Sequence, residues 1–423
     1  MDSIIYTYGG GEVLWTIFNG LALIFKSNSP YLTSVGYLAM LIGGIWGATA
    51  ALYQANIGIF AKSWFIPSYA ILSLMLVPKT TVNIVDEVDP YFRSDRVDNI
   101  PVGIALIAST ASMVSRAVTE EIETVFPTPD SLRYVKAGPV FGARLAAQAR
   151  YVRIKDPIVR SNVKNFMRQC FFWPFVASNL KGLKHEALTT SDVLGFIQSN
   201  PHPWLGVYWK NPDGSQAFMD CKVAVSQVRE VMAVEGDKGL LHLVSTLFGG
   251  DHDTSEVSSN LKHMMKDAWS TLARQTSEAS GSVGQQMLVN AYREAVDDTR
   301  EEMGQDRLSP ELLSYSATRT LAQQSMSFLV KGTVATSFMP MVQAILFGML
   351  LIIFVLIIPL CFVPGGLSLL ALWIRLIFWV QSFPVFSAIL SALTTMMHQR
   401  MNEGVFRTLG SGFSVETTTA LSD

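Results

Sequence analysis

The stretch YLTSVGYLAMLIGGIWGATAAL, residues 31–52, is the clearest indication of the fold class, because it has no charged residue over a length that can cross a bilayer. As a helix rising 1.5 Å per residue it reaches about 33 Å, against a hydrocarbon core of about 30 Å. Its glycines at 36, 43, 44 and 47 favour close packing against a neighbouring helix. The sequence therefore predicts a membrane span here.

Three further apolar stretches have the length of a span. Residues 57–77 follow a short turn, and their one charged residue, Lys62, can extend its ammonium toward an interface. Residues 341–362 are charge-free, and a Pro-Gly-Gly turn separates them from a fourth stretch within 367–397. The sequence predicts two transmembrane hairpins, over 31–77 and 336–397.

The first 30 residues form a segment of a different kind. Residues 1–12 carry no Lys or Arg, so no signal peptide is expected. Apolar residues then recur at helical spacing and share one face: Leu14, Ile17, Phe18, Leu21 and Phe25. This stretch is too short to cross a bilayer, so an amphipathic helix is predicted, lying in the interface or against neighbouring spans.

Between the hairpins lies a large soluble region. Of the 66 Asp, Glu, Lys and Arg residues, 56 fall between Lys79 and Lys331. Helical periodicity over 156–171, 256–275 and 311–330 predicts a mainly helical domain over 78–335. Asn-Pro-Asp-Gly at 211–214 predicts one small β-hairpin between 206–209 and 217–221. The fold class is thus a mostly α polytopic membrane protein, ending in a polar linker over 398–423.

The cysteines bear on the side of the membrane that this domain occupies. Two hairpins place both termini and the central domain on one side, and the charges of the short loops are too sparse to orient them. Cys170 and Cys221 are the only pair that the domain offers for a disulfide in an oxidising compartment. The alternative is two buried thiols. We expect the periplasmic orientation, in a bacterial inner membrane.

No motif of a known catalytic class is present. The sequence lacks a phosphate-binding loop, an HExxH motif, a GxSxG elbow and a dinucleotide fingerprint. Gly-Gly-Asp-His-Asp at 249–253 is interpreted as a solvated turn in preference to a metal site. The acids Asp86, Glu87 and Asp89 could form a site, but a hydrated linker is the simpler interpretation. We expect neither an enzyme nor a cofactor, and the net charge of -2 argues against binding nucleic acid.

Arg375 is the unusual residue of the fourth stretch, where Gln381 is a second polar residue. About eight residues into a span, its guanidinium would lie roughly 12 Å below the end of the helix. Arg375 then contacts a partner subunit or lines a pore. Alternatively, the span begins later in the sequence, and the Arg375 side chain extends to the membrane interface. These alternatives are left open.

Short stretches along almost the whole chain resemble one family, the N-terminal region of TraG, the conjugative-transfer membrane protein of F-like type IV secretion systems. In chain order they are YTYGGGE (6–12), RVDNIPVG (96–103), PDS (129–131), FGA (141–143), Cys170, Cys221, FGG (248–250), PMVQ (340–343) and QSFP (381–384). Since proline favours extended backbone before it, RVDNIPVG is predicted to set how the central domain leaves the membrane. The family-motif and contact candidates are Arg96, Asp98, Asn99, Pro101, Gly103, Arg375 and Gln381.

The resemblance implies a structural role in bacterial mating. The N-terminal region would serve pilus assembly and DNA transfer beside other inner-membrane and periplasmic subunits of the secretion system, in contact with lipid and with a homo-oligomer possible. Fuller family members continue beyond this point, so the chain is expected to be truncated. Mating-pair stabilisation and the exclusion of redundant mating would belong to the region that is missing here.

Two rival functions make different predictions. A channel for DNA or protein would place several polar intramembrane residues around one lumen, and only Arg375 and Gln381 are available. A cell-wall hydrolase would need a cleft with a perturbed catalytic acid, and the sequence nominates none.

Overall fold

The structure is a computed structural model. It describes residues 3–26, 30–53, 57–89, 94–149, 151–179, 182–248, 259–275, 278–303, 338–363, 366–409 and 412–420. The turn at 249–253 and the helix predicted over 311–330 lie outside these residues. The chain divides into two compact units. Unit 1 comprises Met1–Pro127, Arg133–Pro139 and Val334–Ala392, and unit 2 comprises Thr128–Leu132, Val140–Thr333 and Leu393–Asp423.

The described residues are mostly helical. In chain order to residue 149, the elements are β1 Ser3–Thr7, α1 Gly11–Ile24, α2 Pro30–Tyr53, α3 Ile57–Leu76, β2 Lys79–Asp86, β3 Ser94–Pro101, α4 Val102–Val125, a 3₁₀ turn Asp130–Leu132, α5 Tyr134–Ala137 and α6 Phe141–Ala149. The later elements are α7 Pro157–Phe166 with its π-helical extension Met167–Ala177, α8 Lys184–Thr189, α9 Val193–Ser199, β4 Gly206–Lys210, β5 Gln216–Asp220, α10 Cys221–Phe248, α11 Ser259–Ala273, α12 Ala279–Met303, α13 Phe338–Cys361, α14 Leu367–Val380, α15 Phe383–Leu409 and α16 Val415–Ala420.

Four helices of the described part are long and apolar enough to cross a membrane. They are Ser34–Tyr53 in α2, α4, α13, and Leu367–Gly404 across α14 and α15. Three coincide with predicted spans. The fourth, α4, was assigned by sequence to the soluble region. The predicted span 57–77 is helical as α3, but α-helical turns alternate there with π-helical turns at Ala61–Phe65 and Ile71–Leu76.

A three-stranded sheet in unit 1 was not predicted. Its order is β1-β2-β3. Strand β1 runs parallel to β2, and β2 runs antiparallel to β3. Ser3 pairs with Val82 and Thr7 with Asp86, so the partners are far apart in the chain and no local turn signal announces them. The mainly helical domain predicted over 78–335 thus begins with two strands that the sequence did not indicate.

Helix α1 covers one face of this sheet. It packs on β2 and β3, burying Leu14, Phe18 and Leu21. The predicted apolar face is thus confirmed, and within the structure it is covered by protein. Helix α4 packs mainly on β1, and its small buried residues allow a close approach: Ala105, Ala108, Ser109, Ala111 and Ser112.

Unit 2 is a helical assembly with the predicted β-hairpin. Strands β4 and β5 pair from Gly206↔Asp220 to Lys210↔Gln216, and Gly214 in the turn has φ +85°. Helices α7 and α11 confirm the predicted periodic stretches. The stretch predicted as a polar linker from 398 is helical to Leu409 and again in α16.

Candidate functional site

The Asp86 carboxylate organises the N-terminal motif of unit 1. The backbone N–H groups of Gly9, Gly10 and Gly11 each donate a hydrogen bond to it, at N–O distances of 2.9–3.0 Å. The N–H groups of Val88 and Asp89 donate to the same carboxylate at 3.1 Å. We call Gly9–Gly11 with Asp86 the glycine nest. The carboxylate lies at the first turn of α1, where a negative charge is favoured by the helix dipole.

Both ends of α1 are held by strand β2. Lys79, the first residue of β2, donates from Nζ to the carbonyl oxygen of Phe25 at the C-terminus of α1, at 2.6 Å. Asp86, the last residue of β2, holds the N-terminus. The lengths agree, since 14 helical residues and 8 strand residues both span roughly 20 Å. One strand thus supplies complementary charges to both ends of the helix dipole.

Burial sets the chemistry of the nest. Asp86 is 6% exposed. Burial raises the pKa of its carboxyl, and the backbone N–H donors from Gly9, Gly11, Val88 and Asp89 oppose that shift. The interpretation of Asp86 as part of a hydrated linker was wrong, because five amides surround its carboxylate in place of water. The nest fixes the backbone and leaves little acceptor capacity for a substrate.

The neighbouring acid, Glu87, belongs to a separate network of charged side chains. Its carboxylate lies 3.0 Å from the guanidinium of Arg116 on α4, which also bonds Glu120 at 2.8 Å. The same guanidinium lies over the ring of Tyr6, 4.1 Å from the centroid. The Arg116 side chain therefore ties β1, the end of β2 and the middle of α4 together.

The glycine nest also contacts α13, where the PMVQ stretch begins. A Cβ at Gly10 would overlap Ala344, and one at Gly9 would lie 3.5 Å from Pro340. One turn further, Gly348 leaves room for Ile17 of α1 in the same way. Of the stretches that carry the family resemblance, YTYGGGE and PMVQ are therefore neighbours in unit 1.

A buried pair of aromatic rings lies beside the glycine nest. The rings of Tyr8 and Tyr134 lie 5.1 Å apart, and Ala388 of α15 belongs to the same cluster. The Tyr134 hydroxyl bonds Ser387, while the Tyr8 hydroxyl has no hydrogen-bond partner in the part of the chain that the structure describes. The cluster lies close to the QSFP stretch in sequence.

The RVDNIPVG stretch is strand β3 and its junction with α4. Arg96 and Asp98 are exposed, and Asp98 accepts a hydrogen bond from Thr81 of β2 at 2.7 Å. Asn99 adopts a left-handed conformation with φ 68°, next to the register shift opposite Thr80 and Val82. The extended backbone predicted before Pro101 does hold for the strand, with a bulge at Asn99.

Pro101 and Gly103 hold this junction against the end of α3. The N–H of Val102 donates to the carbonyl of Pro78 at 2.9 Å. A Cβ at Gly103 would lie 2.6 Å from Cβ of Met75. These residues therefore fix the point where the chain passes from α3 into the sheet.

The structure does not bring Arg375 and Gln381 together on one surface. Arg375 is exposed on α14, among the exposed apolar residues Leu372, Leu376 and Trp379. No ion pair joins Arg375 to any residue that the structure describes. Gln381 is buried at the end of the same helix. The two polar residues thus do not share a lumen.

Unit 2 contains the predicted disulfide. Cys170, in the π-helical extension of α7, is bonded to Cys221, the first residue of α10, and both are buried. The interpretation as two free thiols was therefore wrong. The third cysteine, Cys361, is free and buried at the end of α13.

An ion-pair ladder runs between two helices of unit 2. Arg160, Lys164 and Arg168, four residues apart, face Glu294, Asp298 and Glu302 of α12, also four residues apart. Arg160 bonds both oxygens of Glu294, at 2.7 and 2.8 Å. The constant spacing shows that the two helices run parallel over this length. The periodicity of neither helix alone reveals the pairing.

The groups described above form hydrogen bonds, ion pairs and close packing contacts. Among the described residues, no group of three or more His, Cys, Asp and Glu side chains is arranged to hold a metal ion. RVDNIPVG and the cysteines were indicated by sequence, whereas Asp86 was interpreted as part of a linker and Arg116 was not indicated at all. A strand ending in Asp, opposite three consecutive glycines, is the signal that could have found the nest.

Comparison with known proteins identifies the family. The model of the TraG-like protein N-terminal region matches residues 5–422. Protein TraG of Escherichia coli (strain K12) is 26% identical over 395 residues, which cover 92% of this chain and 40% of that relative. The chain thus spans well under half the length of the curated relative, and no solved structure matches it. The match over nearly every residue shows that the chain belongs to the family of TraG-like proteins, as their N-terminal region.

Proposed function

We propose that this chain is a structural inner-membrane component of a conjugative type IV secretion system, needed for pilus assembly and DNA transfer. The observation that carries the proposal is the family match over residues 5–422. The apolar helices support membrane attachment. The saturated nest and the helical unit 2 support a role through protein contacts, without catalytic turnover.

The disulfide supports a periplasmic place for unit 2. Disulfides persist in the periplasm and are rare in the cytosol, where thiols are kept reduced. For a separation of 51 residues, the bond stabilises the folded unit by about 4 kcal/mol through the loop entropy of the unfolded chain. Unit 2 would lose that stabilisation in a reducing compartment.

The sheet supports the first hairpin. Strands β1 and β2 lie on either side of α2 and α3 in sequence, and they pair directly. Lys79, just after the segment 31–77, bonds the carbonyl of Phe25, just before it, at 2.6 Å. The chain before α2 and the chain after α3 therefore lie together at the sheet, as a hairpin that enters and leaves on one side of the membrane requires.

We propose that helix α4 packs on the sheet and does not span the membrane. Its C-terminal half carries Arg116, Glu120, Glu121 and Glu123, and Arg116 is ion-paired with Glu87 beside β2. The N–H of Tyr6 in β1 donates to the Ser112 hydroxyl at 3.3 Å. A span would surround these charges with lipid.

The partners that we propose are other inner-membrane and periplasmic subunits of the secretion system, with lipid around the apolar helices and a second copy of the chain as a further candidate. We propose no direct contact with nucleic acid. We propose that mating-pair stabilisation and entry exclusion belong to the part of TraG-like proteins that this chain does not cover.

Thiol labelling in intact cells tests the orientation. We expect Cys170 and Cys221 to react with a membrane-impermeant maleimide only after reduction, without opening the inner membrane. Reduction removes the bond that stabilises unit 2, so these two thiols should become reachable. Cys361, which is not part of the bond, is the control whose labelling reduction should not change. Labelling that requires a breached inner membrane would place unit 2 in the cytoplasm, and the proposed assembly role would be lost with it.

Mating assays test the function. A donor strain that lacks this protein is complemented with the wild-type chain or with Pro101→Ala, which loosens the junction between α3 and the sheet. We expect reduced DNA transfer with normal membrane insertion. Normal transfer by a well-expressed variant would contradict the role of this junction, and normal transfer without the protein would contradict the proposed function.

A further inference from the structure

We propose that the hairpin of α13 and α14 enters the bilayer only part of the way, so that its turn lies inside the membrane and Arg375 lies near the membrane surface. The inference rests on the membrane role proposed above. Contacts within unit 1 determine how deep each of its apolar helices reaches into the bilayer.

The turn after α13 meets the first hairpin near its middle. The indole Nε1 of Trp64 in α3 donates to the carbonyl of Phe362 at 2.8 Å. A Cβ at Gly43 of α2 would overlap the same carbonyl oxygen. Helix α2 continues from Gly43 to Tyr53, another ten residues or about 15 Å. The second hairpin therefore stops well short of the end of the first.

The other end of α13 lies beside the sheet. Pro340 and Ala344 contact the glycine nest, and Gly348 packs on Ile17 in the middle of α1. The sheet cannot lie in hydrocarbon, because β3 exposes Asp95, Arg96 and Asp98, and no strand among the described residues pairs with its outer edge. From Gly348 to Cys361 there are 13 residues, about 20 Å, against a core of about 30 Å.

The described residues on either side of the turn have the cover that an intramembrane turn requires. Non-helical backbone is tolerated at membrane depth only where protein covers it or where it lines a cavity. Phe362 is 1% exposed and its carbonyl accepts the Trp64 indole proton. The Cys361 thiol lies 3.8 Å from the carbonyl of Gly366, on the other side of the turn. A turn in water would not need these cover groups.

Partial entry also explains Arg375. The indole of Trp373 donates to the carbonyl of Leu350 at 2.7 Å, which sets the level of α14 against α13. Two residues on, Arg375 lies at about the level of Gly348 and α1. Nine residues, about 14 Å, separate it from Gly366 in the turn. An exposed guanidinium there reaches the headgroup layer, whereas a complete crossing would leave it in lipid.

Single cysteines in the full chain test the depth. In a Cys361→Ser background that keeps the disulfide, the probes are Tyr53→Cys at the end of α2, Val363→Cys in the turn and Arg375→Cys. Each is labelled with a membrane-impermeant maleimide from two sides. The periplasmic side is reached in cells whose outer membrane alone is permeabilised, and the cytoplasmic side in inverted inner-membrane vesicles. Retention of the disulfide and of membrane insertion reports folding.

We expect Tyr53→Cys to react from the cytoplasmic side and Arg375→Cys from the periplasmic side. Val363→Cys should react from neither side, at least about tenfold more slowly than Tyr53→Cys, since the reactive thiolate forms only where water reaches it. Trp379→Cys, one turn beyond Arg375 on the exposed face, replaces Arg375→Cys if that variant is not inserted.

Labelling of Val363→Cys from the same side as Tyr53→Cys would overturn the proposal, because the hairpin would then cross the bilayer. Labelling with both sides exchanged, and Val363→Cys still protected, would support the partial entry while contradicting the periplasmic orientation. The two proposals therefore fail by different results.

Discussion

The two units of the chain are stabilised by different means. In unit 1, the backbone itself makes the decisive contacts: the Asp86 carboxylate accepts hydrogen bonds from the glycine nest, and Gly103 allows the start of α4 to approach Met75 closely. In unit 2, side chains are joined to side chains, through the Cys170–Cys221 bond and the ion-pair ladder of α7 and α12. Backbone contacts tolerate few substitutions, whereas a ladder of partly exposed pairs spreads its contribution over several residues.

The largest effect is expected from Asp86→Ala. The change leaves five backbone N–H groups without their acceptor, two of them at fully buried bonds from Gly10 and Gly11. Unsatisfied buried donors cost up to about 3 kcal/mol each, so unit 1 should lose about 5 kcal/mol. Hydrogen exchange of the full chain in detergent, read by mass spectrometry, should accelerate in β1 and β2.

The matched control is Asp95→Asn, which changes an exposed acid on β3 of the same sheet. It should leave exchange in β2 unchanged. Slow exchange in β2 of the Asp86→Ala protein would mean that the nest is not what holds α1 to the sheet.

Cys221→Ser should act on unit 2 with a loss of about 4 kcal/mol, because the unfolded chain regains the entropy of the closed loop. Exchange should accelerate in the extension of α7 and in α10, while β2 serves as the reference. The wild-type chain should reach the same rates in reductant, and the variant should not respond to it. A Cys361→Ser chain that responds to reductant like the wild type is the control; equal exchange in oxidised and reduced wild type would contradict the prediction.

Gly103→Ala should destabilise unit 1 by about 2 kcal/mol, since overpacking against the Met75 side chain displaces the end of α3. Gly20→Ala is the paired control, because Gly20 lies in α1 with nothing within 4 Å of a Cβ. That change should stabilise the helix by up to about 1 kcal/mol. If the two substitutions changed the unfolding midpoint in detergent equally, close packing at the junction would not be what stabilises unit 1.

The same difference explains what could be predicted from sequence. The β-hairpin of unit 2 carries its turn residues at 211–214, and helices α7 and α11 show local periodicity, so these elements were predicted. The sheet of unit 1 joins β1 to β2 across the first hairpin, and Asp86 acts on glycines 75–77 positions away. Periodicity also assumes a regular helix, and therefore it could not indicate the π-helical turns of α3 or α7.

The depth of an apolar helix is likewise a tertiary property. Residues 341–362 have the length and composition of a full span, and nothing within them indicates that Gly348 packs on α1 beside the sheet. Arg375 was the one sequence signal of this arrangement. It left the alternatives open, because a charge shows that a helix is not wholly in lipid without showing how far it has moved.

The smallest effect is expected in the ladder, where a double-mutant cycle of Arg160→Ala and Glu294→Ala should give a coupling energy of about 1 kcal/mol. The pair is bidentate, but the Arg160 side chain is 41% exposed, and solvent screens it. The exposed pair Lys266–Glu278 should couple more weakly, by about 0.3 kcal/mol. Both couplings should fall as salt is added, because exposed charges are screened. A coupling several times larger, insensitive to salt, would mean that unit 2 also depends on single desolvated contacts, and the contrast with unit 1 would then be one of degree.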